Sequence, residues 1–269
     1  MITAAGPDQR ELPLQTLVDR DGRRKSVLRL LLREALDAGS SQIAVIIAPG
    51  DSDAFTRAAG DLAAKVHLIE QSTPDGYAGA LRCARDFCGG DAFLHFVGDH
   101  VWQSGSDESC ARQLVQVAAK EACSVSAVQA TRESQLPFFG AVGGAPIPGR
   151  EGLYTIERVS EKPTPTFAEE HLHVPGLRAG RYLCFFGMHV LTRGIWPCLE
   201  TATTLSGALA DLCARERTLA FTPNGTRHDA GSRYGLLLAQ VALALAGEDR
   251  EEVLFEFLEM LAQRAPTRT

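Results

Sequence analysis

Strand-length apolar runs alternate with amphipathic helical patterns through the first hundred residues. That alternation constrains the fold more than any other feature of the chain. Residues 2–4, 43–48, 66–70 and 93–97 read as strands, and residues 26–38, 51–64 and 76–88 read as the helices between them. In the first helix Val27, Leu30, Leu31 and Leu32 form an apolar face, which Gly39 terminates. Strands separated by helices of this length point to β-α-β units and a largely parallel sheet, doubly wound in the Rossmann-like manner. In such a sheet ligands bind beyond the C-terminal strand ends. The loops at 5–13, 71–79 and 98–100 would open on that edge.

The second half is less regular. Residues 124–131, 138–143, 153–160 and 180–191 read as strands, and 192–199, 205–215, 232–246 and 251–264 as helices. No repeat, low-complexity tract or linker divides the halves, so the sequence predicts an α/β domain over 1–247 with a mostly parallel mixed sheet and a small inserted or appended substrate lobe. Residues 248–269 are then a C-terminal helix and tail. Val253, Leu254, Phe257, Leu258 and Leu261 share one side of that helix, which leaves two partners open: the core, or another subunit of a homo-oligomer.

Charge and cysteine content narrow the class. The 33 Asp and Glu residues outnumber the 27 Lys and Arg, for a formal net charge of −6. This excludes a generally basic nucleic-acid binder, which neutralises phosphates with Lys and Arg, but leaves room for a local anion site. None of the seven cysteines forms C-x-x-C, and most sit in apolar runs, a pattern of reduced, buried thiols in a cytoplasmic protein. The N-terminal residues lack the pattern of a signal peptide. The apolar stretches are too short to span a bilayer, so no membrane partner is expected.

Several segments carry candidate chemistry. Asp99, reached through Gly98 from the 93–97 strand, is placed to hold a divalent metal beside a phosphate; in isolation a turn or N-cap aspartate is the better explanation. Asp229, in His228-Asp229-Ala230-Gly231, is a second ligand or a helix cap. Lys162 in Glu161-Lys162-Pro163 can grip a phosphate while Glu161 accepts sugar hydroxyls, or the segment is an exposed charged turn. The stretch from Gln71 through Gly76 to Ala80 leads into a helix start, where backbone N–H groups suit phosphates or base carbonyls. The opening loop, Ala5-Gly6-Pro7-Asp8-Gln9-Arg10, is a poor phosphate cradle: it has one glycine, Pro7 lacks an N–H, and Asp8 repels a triphosphate. Arg10 is its favourable residue.

The order of these segments, with Phe139-Gly140, Gly180-Arg181-Tyr182, Ile195-Trp196-Pro197 and Tyr234-Gly235 between and after them, resembles the sugar-phosphate nucleotidyltransferases over roughly residues 1–247. The bacterial UTP–glucose-1-phosphate uridylyltransferases are the most similar in pattern. The resemblance implies the nucleotide-diphospho-sugar transferase fold and an NTP and a sugar 1-phosphate as partners, with UTP and glucose 1-phosphate favoured. It implies Mg2+ on Asp99 and Asp229, Lys162 on the sugar phosphate, and Glu161, Gly140 and Tyr182 at the sugar. Gln71 and Gly76 would read the pyrimidine, Ala5 and Gly6 belong to the nucleotide loop, and Arg10 would steady the triphosphate.

Departures from the family pattern fall at both the triphosphate loop and the sugar. The G-x-G-T-R loop reads Gly6-Pro7-Asp8-Gln9-Arg10, and the lysine-bearing segment after it is shortened, with none from Pro13 to Val18. Lys25 lies further on and is not taken as a replacement. An acidic residue that helps bind sugar hydroxyls is missing between 201 and 207. These losses set an impaired, sugar-nucleotide-binding regulatory protein against the enzyme, and a phospho-polyol substrate against the sugar phosphate. No G-x-G-x-x-G follows the first strand, which argues against a dinucleotide-dependent dehydrogenase.

Overall fold

Residues 1–7 and 10–263 are described by the computed structural model. Asp8, and the last residue of the helix predicted to end at 264, lie outside them. The first half is built from β1 (Ile2–Thr3), β2 (Thr16–Val18), β3 (Arg24–Ser26), α1 (Val27–Asp37), β4 (Ile43–Ile47), α2 (Ser52–Ala59), β5 (Val66–Glu70), α3 (Gly76–Cys83), α4 (Arg85–Cys88), β6 (Phe93–Val97) and β7 (His100–Ser104). The second half continues with α5 (Cys110–Glu121), β8 (Ser124–Arg132), β9 (Ala141–Gly143), β10 (Leu153–Thr155), β11 (Arg158–Ser160), α6 (Pro165–His171) and β12 (Arg181–Leu191). It closes with α7 (Ile195–Thr201), α8 (Leu205–Cys213), β13 (Thr218–Phe221), β14 (Gly225–Asp229), α9 (Gly235–Leu245) and α10 (Arg250–Gln263).

The central sheet runs β10-β13-β8-β12-β6-β1-β4-β5, with β9 and β11 attached beside β12. Its first-half strands are parallel: β1 lies between β4 and β6, and β5 pairs with β4. β12 is antiparallel to both β6 and β8, and β13 is parallel to β8. This is the expected α/β fold with a mixed, mostly parallel sheet. β4 is buried along its whole length, because the unbroken run Ile-Ala-Val-Ile-Ile suits a strand covered on both faces. α1 begins where Ser26 Oγ accepts the Arg29 N–H at 3.0 Å, and its Val27, Leu28, Leu31 and Leu32 enter the core.

Local chemistry moves several predicted boundaries. The helix expected over 51–64 stops at Ala59, because Gly60 takes φ +57 and the chain tightens into a 3-10 turn to Lys65. The single strand expected over 153–160 is two strands with different partners, β10 on β13 and β11 on β9. The β2–β3 hairpin, β7, α5, α6 and β13 have no counterpart among the predicted elements.

Polar groups are threaded through the middle of the sheet. Tyr77 Oη lies 2.7 Å from His95 Nε2, the His95 and His189 rings stack at 5.9 Å, and His189 Nδ1 meets Ser126 Oγ at 2.9 Å. α10 packs on α9 and half-buries Val253 and Phe257, while Leu254, Leu258 and Leu261 are exposed.

Candidate active site

Strand β6 delivers its chain end to the C-terminal edge of the sheet, and Gly98-Asp99 turns it back into β7. β7 then pairs antiparallel with β14, placing Asp229 opposite His100. The Ala230 N–H donates to the Asp99 carbonyl at 2.8 Å, and the Gly231 N–H to Asp229 Oδ1 at 2.9 Å. His100 Nδ1 lies 2.7 Å from Asp99 Oδ1. One ligand atom from each of Asp99, His100 and Asp229 falls within 4.8 Å of the others, with Asp99 and His100 buried and Asp229 half-buried. Two carboxylates and an imidazole, converging from a strand end and an antiparallel ladder, fit a divalent cation.

Beside this cluster the backbone of β12 is irregular. Its pairing with β8 shifts register between Phe185 and His189, around Gly187 at φ +86. The bulge exposes carbonyls that would otherwise join the ladder. Trp102 Nε1 donates to Phe186 O at 2.7 Å and Arg227 Nη1 donates to Phe185 O. The Arg227 guanidinium also lies 3.6 Å above the Phe139 ring. Burial lowers the Arg227 pKa to about 10, against the pull of Cys184, Asp229 and Asp99. It therefore stays cationic at neutral pH, a fixed positive charge behind the two aspartates.

Phe139 leads into Gly140. A Cβ on Gly140 would lie 2.6 Å from Ser206 Oγ and 2.7 Å from the Phe185 ring, so only glycine allows α8 and β12 to close here. Ser206 Oγ donates to Glu161 Oε2 at 2.5 Å. Glu161 and Lys162 are exposed, ahead of buried Pro163. Lys162 holds φ +44, in the left-handed region. Proline disfavours the right-handed helical conformation in the residue before it, and a side-chain-bearing residue at this φ is uncommon enough to mark a constrained site. Burial raises the Tyr77 pKa, and the charges of Asp99 and Glu161 add to that shift, so one phenol feels both halves of the cluster.

The remaining predicted residues make local contacts of their own around this core. Gln71, buried after β5, gives its amide nitrogen to Asp75 Oδ1 at 2.9 Å and to the Gly76 carbonyl at 3.1 Å. Hydrogen bonds from Gln71 and Arg82 hold the Asp75 carboxyl below its usual range. Ala5 is half-buried and Gly6 exposed, and the Gly6 carbonyl accepts the Arg10 N–H at 2.8 Å. The Arg10 guanidinium is 3.6 Å from Asp51. Tyr182 is buried in a satellite cluster with Leu136, Ala141, Ala168, Leu172 and Cys184. Lys25 is held by Asp19 and Asp21 within the β2–β3 hairpin.

Sequence reasoning missed His100, Phe139, Ser206 and Arg227 as site residues. His100 was visible as the neighbour of Asp99, and Arg227 as the buried cation two positions before Asp229. Ser206 gave no signal, because its role depends on α8 folding against the Glu161 turn.

The nucleotidyl transferase family model matches residues 17–242. The chain belongs to this family. Within the sugar-phosphate nucleotidyltransferases it is similar to a UTP–glucose-1-phosphate uridylyltransferase of Bacillus subtilis (strain 168), 26% identical over 208 residues, which cover 75% of this chain and 66% of that protein. A Streptococcus pyogenes protein of the same name is 25% identical over an alignment of 304 positions, covering 98% of this chain and 94% of its own. Among solved structures, a UDP-glucose pyrophosphorylase complexed with UDP-glucose superposes with a TM-score of 0.74 at 21% identity, covering 90% of this chain and 96% of that one. A UDP-glucose pyrophosphorylase from Acinetobacter baumannii gives 0.75 at 22% identity, over 96% and 98%. The nucleotidyltransferase fold is thus shared with both, and nucleotidyl transfer is the chemistry typical of the family. Among the described residues no helix is long and apolar enough to cross a membrane.

Proposed function

We propose that the protein joins a nucleoside monophosphate from an NTP, with UTP favoured, to a sugar 1-phosphate, with glucose 1-phosphate favoured, and releases pyrophosphate. The observation that carries this reading is the convergence of Asp99 and Asp229 across the β7–β14 ladder, at the strand edge that also presents Gly98 and the Gln71 loop. A phosphate oxygen of the sugar 1-phosphate attacks the α-phosphorus, the bond from that phosphorus to the bridging oxygen breaks, and pyrophosphate leaves with that oxygen. The nucleophile is already anionic, so no general base is required, and catalysis is positioning plus charge neutralisation. Asp99 and Asp229 would hold Mg2+, which would supply neutralisation of phosphate charge.

The chain's own residues supply the rest. Lys162 grips the sugar phosphate from its fixed backbone position. Glu161, held by Ser206, accepts sugar hydroxyls beside the Gly140 backbone. The Gln71 amide nitrogen is committed to two acceptors, so its oxygen is the atom that meets a base. An imide N–H, as in uracil or thymine, suits that oxygen. Ala5, Gly6 and Arg10 face the triphosphate. The seven free thiols support a reducing, cytoplasmic setting.

One observation favours a second reading, a sugar-nucleotide binder with little turnover: Arg10 is paired with Asp51, and no lysine follows the loop before Arg20. Purified protein incubated with Mg2+, each NTP and glucose 1-phosphate separates the two. Pyrophosphate release is expected, fastest with UTP and absent in Asp99→Ala. If no pair exceeds that control, the enzyme reading falls, and UDP-glucose calorimetry then tests the binder: a silent titration removes it as well.

A further inference from the structure

We propose that His100 is a third protein ligand to the catalytic cation, and that the Asp99-His100-Asp229 set prefers Mn2+ to Mg2+ more strongly than a carboxylate pair would. This rests on the reading of Asp99 and Asp229 as metal ligands. Beside the two aspartates stands an imidazole to which the proposed reaction assigns no role. It is buried, its Nδ1 is 2.7 Å from Asp99 Oδ1, and it stands in β7 opposite Asp229. A ligand atom of the ring lies within 4.8 Å of both carboxylates.

Three features show that the ring is built into place. Phe139 meets it edge-on at 6.3 Å, and Trp102 lies on another side at 6.5 Å. The bulge in β12 puts Gly187 beside it, where a Cβ would stand 3.1 Å from His100 Cδ2 and 2.7 Å from Val97 Cγ2. The bulge at positive-φ Gly187 lets β12 pass close to an imidazole that stands next to two carboxylates, a mixed nitrogen and oxygen donor set. Mg2+ favours all-oxygen octahedra and keeps its waters, whereas first-row transition cations accept imidazole readily.

Electron spin-echo spectroscopy of Mn2+ bound to the full chain gives a direct readout. Modulation from a directly coordinated 14N nucleus is expected, and it is expected to vanish in His100→Gln. Competition titrations on the same proteins should show His100→Gln weakening Mn2+ by about tenfold or more while changing Mg2+ by less than about threefold. Absence of 14N coupling in the unaltered protein overturns the proposal, as does an equal loss of both ions in His100→Gln. The second result would reduce His100 to a group that positions Asp99. An Asp99→Asn control separates this failure from a deeper one: if it still binds Mn2+ as tightly as the unaltered chain, the metal reading of the aspartates is itself wrong.

Discussion

Arg10 and Asp51 meet at 3.6 Å with the Arg10 side chain 43% exposed, and a surface pair of this kind contributes little to stability. Its effect is on availability: a guanidinium held by a carboxylate is partly neutralised before any triphosphate arrives. Asp51→Asn should therefore lower the KM for the NTP severalfold with kcat little changed, measured by initial-rate kinetics. An unchanged or raised KM would show that Arg10 does not meet the nucleotide. Ser206 makes a complementary case. Its hydroxyl fixes Glu161, and losing one hydrogen bond to a charged group costs about 1.5–3 kcal/mol. Ser206→Ala should raise the KM for the sugar phosphate about tenfold or more and leave the KM for the NTP unchanged. If both constants rise together, Ser206 supports the fold of the cleft instead.

At the scale of elements, β12 joins the parallel first half of the sheet to the second half, and its bulge shapes the candidate site. Replacing Gly187 by alanine imposes a side chain at φ +86 and pushes it against Val97 and His100. The expected loss exceeds about 1 kcal/mol, read by denaturant titration, and Mn2+ affinity should fall with it. Much of this architecture was legible in the sequence. The strand–helix alternation placed β4, β5 and β6 within a residue of their observed ends, because short apolar-rich runs bounded by turns and helices read as strands. Asp99 stood out because it follows the 93–97 run, whereas Glu161, Lys162 and Asp229 were singled out by their order in the family-like pattern. The β7–β14 ladder was harder to see. His100-Val-Trp-Gln-Ser104 is too mixed for a buried strand, and its pairing is a long-range event. Tyr182 was named for its neighbours in sequence, but strand alternation turns it into the Leu136 and Leu172 cluster.

The whole molecule carries opposing pH dependences. Burial raises the Glu34 pKa from 4.5 to about 7, although the Ala111 N–H donates to its carboxyl at 2.8 Å. A raised carboxyl stabilises the fold fully below its unfolded value, and that contribution fades as pH climbs through about 7. Thermal melts should thus show Glu34→Gln gaining on the unaltered protein between pH 5 and pH 8, by roughly 3 kcal/mol at most. Burial lowers the His189 pKa from 6.5 to about 3, and His95 is likewise held neutral, first by burial and then by His189. Their contribution is complete above the usual histidine range and is lost as pH falls from 6.5 toward 3. His189→Gln, which can keep the bond to Ser126, should flatten the acid limb of the melting curve. An acid limb identical in both proteins would mean that other groups control it.

The pairing of β7 with β14 also sets a schedule. During synthesis residue 99 emerges long before residue 229, so a growing chain can complete its parallel strands and still expose β7 as a strand with an unfilled edge. The cluster of Asp99, His100 and Asp229 assembles only once β14 has followed β7 out of the ribosome. A product truncated before Gly225 would lack Asp229 and would leave β7 with an edge open to the wrong neighbour.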